Sequence, residues 1–170
     1  MPRLVVVTGP IASGKNAVAD HLVRRLTGPG HTVVVADVDD IAAMVMPAGA
    51  ARRDLWFSAH GAHGALVGRW MRSPVDFVIA VGNIYSAEEQ AALTEALPDG
   101  AAPLWVLLDA PVTVTLVRAR DDPGRGLSRD PEFHRAAHRR FRALRPGIPA
   151  DQTFDAQAMT ADRIADAIRL

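Results

Sequence analysis

The residues best suited to chemistry open the chain. Gly9-Pro10-Ile11-Ala12-Ser13-Gly14-Lys15 spells G-x-x-x-x-G-K, the spacing of a loop that wraps a phosphate. Its glycines permit a tight turn in which backbone N–H groups point inward at an anion. A helix opening near Lys15 and Ala17 turns the positive end of its dipole to the same place. The ammonium reaches the β- and γ-phosphates of a nucleotide as a mobile point charge. Lys15 is the only lysine, beside eighteen arginines. A chain that otherwise uses Arg for its cations has put its single Lys where such a loop requires one. The next position normally holds a Ser or Thr that ligates Mg²⁺, and here it is Asn16. A carboxamide oxygen is a possible ligand for a hard cation, although on a longer arm than a hydroxyl.

A second set of reactive side chains follows at Asp37-Val38-Asp39-Asp40. Three carboxylates in four positions beside a phosphate site could activate a hydroxyl or hold water around Mg²⁺. The competing role is structural: one of them, Asp40 for instance, caps the short helix expected over Ile41–Met46. Asp37 and Asp39 are the pair assigned to chemistry, with Asp37 and Asn16 as the candidate metal ligands. His60 and His63 lie three apart on a long helix, without the i, i+4 spacing or further ligands of a zinc motif, and read as core or pocket-lining residues. Asn83 suits a substrate- or water-positioning role and Tyr85 a pocket wall, the alternative being that both are simply loop residues. Between Val112 and Arg145 stand nine arginines against four acids, a local anion-binding bias. Arg118 and Arg125 bracket the polar, Gly/Pro-rich stretch Asp121–Ser128, whereas Arg135, Arg139, Arg140 and Arg142 read as a solvated helix face.

The elements that must carry these residues alternate strand and helix. Leu4–Val7 reads as a buried strand and Gly14–Leu26 as a helix with Val18, Leu22 and Leu26 inward. His31–Ala36 reads as a second strand, completing one right-handed βαβ unit. A loop at Pro47–Ala50 precedes a helix over Arg52–Arg72, whose apolar seam is Leu55, Ala59, Leu66 and Trp70. Gly61, Gly64 and Gly68 form another face that admits a close neighbour. Val75–Val81 is a third strand. Ser86-Ala87-Glu88-Glu89 is a capping box opening a helix to Leu97. Pro103–Leu108 is a fourth strand, a helix runs from Val112 to Arg120, and another from Pro131 to Leu144 has Phe133, Ala137, Phe141 and Leu144 inward. Thr153-Phe154 forms a short fifth strand, and Thr160 caps a last helix.

Bulk properties narrow the class. The 170 residues are 49% hydrophobic with zero formal net charge, which points to one domain with a real core spanning 1–170 and argues against disorder or a global polyanion-binding field. The absence of cysteine excludes disulfides, thiol catalysis and Cys-ligated zinc. The chain enters its first strand almost at once and has no apolar run near the ~20 residues of a membrane span. A soluble, cytoplasmic α/β protein is expected, monomeric or homodimeric, with no membrane partner. Nucleic acid is disfavoured because the Arg-rich region lacks interleaved exposed aromatics.

A phosphate loop after strand one, acids after strand two and an Arg-bearing loop after strand four resemble the small P-loop kinases, most closely the shikimate kinase and chloramphenicol phosphotransferase-like group. The resemblance covers essentially the whole chain. It implies a three-layer fold with a five-stranded parallel sheet in order 2-3-1-4-5 and a mobile lid over about 118–132. It implies transfer of the γ-phosphoryl of ATP to a hydroxyl of a small molecule, with Mg²⁺. By position, an acid of the Asp37/Asp39 pair would orient or deprotonate that hydroxyl, and Arg125 would be the lid arginine at the transferring phosphoryl. Arg118 would lie against adenine or phosphates, and Asp155, after the last strand, falls where such kinases contact adenine, largely through backbone. The chain departs from the pattern at Asn16 and at the third strand's end, Val81-Gly82-Asn83, which lacks the glycine run of shikimate kinases. A nucleotide-binding protein with weak catalysis is the second reading and a nucleic-acid-end kinase the third.

Overall fold

The computed structural model describes residues 1–45 and 53–170, with side chains for all of these except 53 and 54. The expected loop Pro47–Ala50, the helix end at Met46 and the helix start at Arg52 lie outside the described residues. Five parallel strands form one sheet: β1 (Arg3–Thr8), β2 (Val33–Asp37), β3 (Phe77–Val81), β4 (Leu104–Asp109) and β5 (Gln152–Asp155). Their order is β2-β3-β1-β4-β5, as the resemblance implies. Val7 pairs with Val81 on one side and Val106 on the other, and Asp37 pairs with Val81 across β2–β3. The carboxyl ends of β1, β2 and β3 therefore finish side by side, with Gly9, Asp37 and Gly82 at one edge.

The helices are α1 (Lys15–Thr27), α2 (Val38–Ala42), α3 (Arg53–Trp70), α4 (Ala87–Thr94), α5 (Val112–Asp121), α6 (Pro131–Leu144) and α7 (Ala161–Ala167). Period-two alternation sends Val5, Val7, Ile79, Val81, Val106 and Leu108 to one face, against Val18, Leu22 and Leu26 of α1 and Ile164 of α7. Leu4, Val6, Val78 and Ala80 face the other way, onto Val67 and Met71 next to and within α3's last turns and Leu93 of α4. Both faces of the central strands are covered, which is why these strands read as continuous apolar runs. Each such side chain contributes about 1.5–3 kcal/mol on burial.

Several expectations need correction. The short helix starts at Val38, so Asp37, not Asp40, is its N-cap, its carboxylate accepting from the Asp39 N–H at 2.9 Å. In α3 the buried stripe is Ala59, His60, His63, Gly64, Val67 and Gly68, while Leu66 and Trp70 are each 37% exposed. Gly64 and Gly68 explain this phase: a Cβ on either would overlap the backbone carbonyl oxygen of Ala92 or Ala96, so α3 packs main chain to main chain against α4 and the turn that follows it. Gly61 faces open space. In α6 the buried face is His134, His138 and Phe141, and Phe133 is exposed. Finally, α4 ends at Thr94 and Thr160 makes no side-chain cap bond to α7. The capping box at Ser86 and Glu89 is present as expected.

Candidate active site

The loop Gly9–Gly14 has the backbone its sequence calls for. Gly9 has φ +152°, and a Cβ there would stand 2.5 Å from the Leu108 carbonyl oxygen. Gly14, at φ +98°, is the N-cap of α1. Ala12 is the one non-glycine residue with positive φ among those described, a cost that persists only where surrounding structure enforces it. The Ser13 N–H closes the turn onto the Pro10 carbonyl at 3.2 Å.

Lys15 is buried at the start of α1, and its Nζ donates to the carbonyls of Gly9 and Pro10, both at 3.1 Å, and to Asn83 Oδ1 at 2.8 Å. Burial lowers its pKa from 10.5 to about 8, against the opposing pull of Asp39 and Asp37, with Arg125 adding a further downward push. The ammonium still predominates at neutral pH. Tyr85 completes the cage: its hydroxyl lies 2.6 Å from the Gly9 carbonyl and 2.9 Å from Asn83 Oδ1. Burial raises the Tyr85 pKa well above 10, so the phenol stays a donor. The structure sets Asn83 against Lys15, and Tyr85 against Asn83 and Gly9.

Asp37 is held from two sides. One oxygen caps α2, and Oδ2 accepts from Asn16 Nδ2 at 2.7 Å. Burial pushes the Asp37 pKa up, countered by the hydrogen bonds from the Asp39 N–H and Asn16. Asn16 thus turns its amide nitrogen, not its oxygen, toward the carboxylate. Asp39 lies exposed on α2 and is the acid whose charge acts most strongly on Lys15.

On the β4–β5 side, Arg118 of α5 donates to the Ala156 carbonyl at 2.7 Å and reaches the Ser13 carbonyl at 3.4 Å. It borders a cleft of about 240 Å³ together with Gly14, Ala17, Met159 and Thr160. Asp155 closes its own turn, Oδ1 accepting from the N–H groups of Gln157 and Ala158, which leaves backbone to line that side. Arg125 pairs with Asp122 at 3.1 Å in the segment after α5. Two of the arginines assigned to a solvated face are exposed as expected and also engaged. Arg140 pairs with buried Glu89 at 2.7 Å and lies over the Tyr85 ring, and Arg142 pairs with Asp109 at 2.7 Å. Arg135 and Arg139 are exposed. Among the described residues no group of three or more His, Cys, Asp or Glu could hold a metal, and no helix is long and apolar enough to cross a membrane.

This strand order and loop define the fold of the small P-loop kinases. The chain superposes on a sugar kinase from Janibacter sp. with a TM-score of 0.68, at 17% identity over 98% of this chain and 91% of that one. A tunicamycin resistance protein from Deinococcus radiodurans matches with a TM-score of 0.66, at 17% identity over 98% and 92% of the two chains. Shikimate kinase from Acinetobacter baumannii, in complex with shikimate, matches with a TM-score of 0.64, at 17% identity over 98% and 90%. No family model matches the sequence, and no curated relative does.

Proposed function

We propose that the protein transfers the γ-phosphoryl group of ATP to a hydroxyl of a small molecule. The observation that carries this reading is Lys15, caged by Gly9, Pro10 and Asn83 in a phosphate loop, with Asp37 and Asp39 at the same sheet edge. The kinase structures of the same fold support it. Phosphoryl transfer asks for positioning and charge neutralisation more than for covalent chemistry. The loop and the N-terminus of α1 hold the phosphates, and Lys15 neutralises the β/γ side. Arg125, on the segment that serves as a lid, supplies charge at the transferring group and helps to exclude water. Asp39, on α2 and open to solvent, orients or deprotonates the acceptor hydroxyl, while Asp37 shapes the floor. The cleft beside Arg118 takes the base.

The donor set fits a magnesium ion held chiefly by phosphates and water. Asp37 is a carboxylate at the loop's mouth, and Mg²⁺ commonly keeps several waters and only one or two carboxylates. Asp37 would hold it, with Asn16 acting through its bond to Asp37 or by a turn of its carboxamide. When bound, the ion neutralises charge on the phosphoryl oxygens.

The test is ATP consumption against a panel of sugars, nucleosides, aminocyclitols and phenols, with ³¹P NMR to identify the ester formed. ATP loss that depends on one acceptor class supports the reading. Tight ATP binding with no turnover across the panel favours a nucleotide-binding protein with weak catalysis. The hydrogen bond that commits Asn16 to Asp37 is the observation behind that second reading.

A further inference from the structure

Buried histidines recur at the carboxyl edge of the sheet. His63 Nε2 meets the Ala36 carbonyl at 2.9 Å, directly before Asp37. His138 Nε2 meets the Ala110 carbonyl at 3.0 Å, directly after β4. His60 Nε2 meets the Asn83 carbonyl at 3.2 Å, and its Nδ1 lies 3.0 Å from the Trp56 carbonyl. Of these contacts, the one at Asn83 stands nearest the phosphate loop. The Asn83 side chain accepts from Lys15 Nζ at 2.8 Å and lies 2.9 Å from the Tyr85 hydroxyl.

We propose that His60 is a positioning residue for the phosphate-binding lysine, its Nε2–H anchoring the Asn83 carbonyl so that the Asn83 side chain stays beneath Lys15. The proposal rests on reading Gly9–Lys15 as the phosphate loop. Both ring nitrogens face carbonyl oxygens, which only accept, and a neutral imidazole carries one proton; the anchoring tautomer is the one that holds it at Nε2. Nearby, Ile84 donates its N–H to Thr8 Oγ1 at 3.3 Å and Tyr85 donates to Glu89 Oε2 at 2.7 Å. The first of these holds the N–H side of the Asn83–Ile84 peptide, and the histidine holds its carbonyl side. His60 is 2% exposed and stacks edge-on with Trp56, 5.1 Å between centroids, so its ring has one place to sit. Without the Nε2 donor the Asn83–Ile84 peptide keeps only its bond from the Ile84 N–H to Thr8 Oγ1, and the Asn83 side chain is held less firmly beneath Lys15. The lysine then spreads over more positions in the loop.

The experiment measures affinity for a non-hydrolysable ATP analogue by calorimetry, well below the melting temperature, for wild type, His60→Leu, His60→Gln and Asn83→Ala. A hydrogen bond to a charged group carries about tenfold in affinity. His60→Leu should therefore weaken the analogue about tenfold, and His60→Gln, which retains an N–H at the same reach, should restore most of it. In an Asn83→Ala background His60→Leu should add nothing further. A folded His60→Leu that binds as wild type does, or an effect that persists undiminished without the Asn83 side chain, overturns the proposal. Where His60→Leu does not fold, ¹⁵N spectra of the wild-type imidazole decide, because an unprotonated Nε2 at neutral pH overturns it. A wild type that binds no analogue defeats the phosphate-loop reading instead. Amide exchange at Asn83 and Ile84, about tenfold faster in His60→Leu or unchanged, then decides the anchoring separately.

Discussion

Replacing Lys15 with Met keeps an unbranched side chain and removes the buried ammonium. Burial takes the Lys15 pKa from 10.5 down to about 8, and a gap of about 2.5 corresponds to about 3 kcal/mol between the two protonation states. The sign follows from which state holds the proton. Between pH 8 and 10.5 the unfolded chain binds a proton that the folded chain has released, so resistance to unfolding grows as pH rises through that window. Below it both states are protonated, and the folded protein bears the full cost of enclosing a cation. Every other titrating group is common to wild type and Lys15→Met, so their stability difference isolates the lysine. That difference should move toward wild type by about 3 kcal/mol across the window. At a urea m-value of about 2 kcal/mol/M the midpoints should separate by about 1.5 M. Urea titrations at half-unit pH intervals measure it directly. A difference that stays flat through the window, moving only near the ordinary lysine pKa, would refute the reasoning. Amine acylation offers an independent reading, since Lys15 is the sole lysine and only the N-terminal amine competes.

Other substitutions address the remaining parts of the site. Asp39→Asn should lower kcat by ~10²–10⁴-fold with little change in the KM for ATP, as loss of a general base does; near-full turnover with the true acceptor would make the acid structural. Asn16→Ala, which frees Asp37 Oδ2, should retain Mg²⁺-dependent turnover, and Asn16→Ser should reduce the Mg²⁺ needed for half-maximal rate. An Asn16→Ala protein that binds ATP but is inactive at every Mg²⁺ level would instead make the carboxamide a direct ligand. Hydrogen exchange over Asp121–Arg129 should slow when an ATP analogue binds, and equal exchange would remove the lid from the mechanism. Gly68→Ala should destabilise by about 1–3 kcal/mol through overpacking against Ala96, while Gly61→Ala should stabilise by up to about 1 kcal/mol. Thermal melts showing the same shift at both positions would contradict the close helix contact.

The parts legible in the sequence were those whose cause is local. The loop Gly9–Gly14 declares its backbone through its two glycines and Lys15, because that conformation and the following helix depend on neighbours in the chain. The parallel sheet declares itself through apolar strands alternating with helices. The partners of Lys15 did not, since Asn83 lies sixty-eight positions away and joins it only when β3 pairs with β1. Helix phase failed where polarity and packing part company. Phe133 outranks His134 in hydrophobicity, yet His134 is fully buried because its ring bonds to Thr115 Oγ1 and the Ser128 carbonyl, each at 2.9 Å. In α3 the glycines took the inner face from Leu66 and Trp70, because an absent side chain lets a second helix lie closer than any leucine would. The apolar pattern starts at Ile41 and points to Asp40 as the cap, whereas the helix begins three residues earlier, at Val38.

The contact between α3 and α4 has a mechanical consequence. Where two helices meet through side chains, rotamer changes let one slide over the other; where they meet through main chain at Gly64 and Gly68, no such play remains. The pair behaves as one slab. α3 presents His60 and His63 to the sheet edge, and α4 presents its capped N-terminus to Tyr85. Under the proposed function this slab is the rigid side of the site beside Lys15, so selectivity there would change by exchanging side chains and not by bending the backbone.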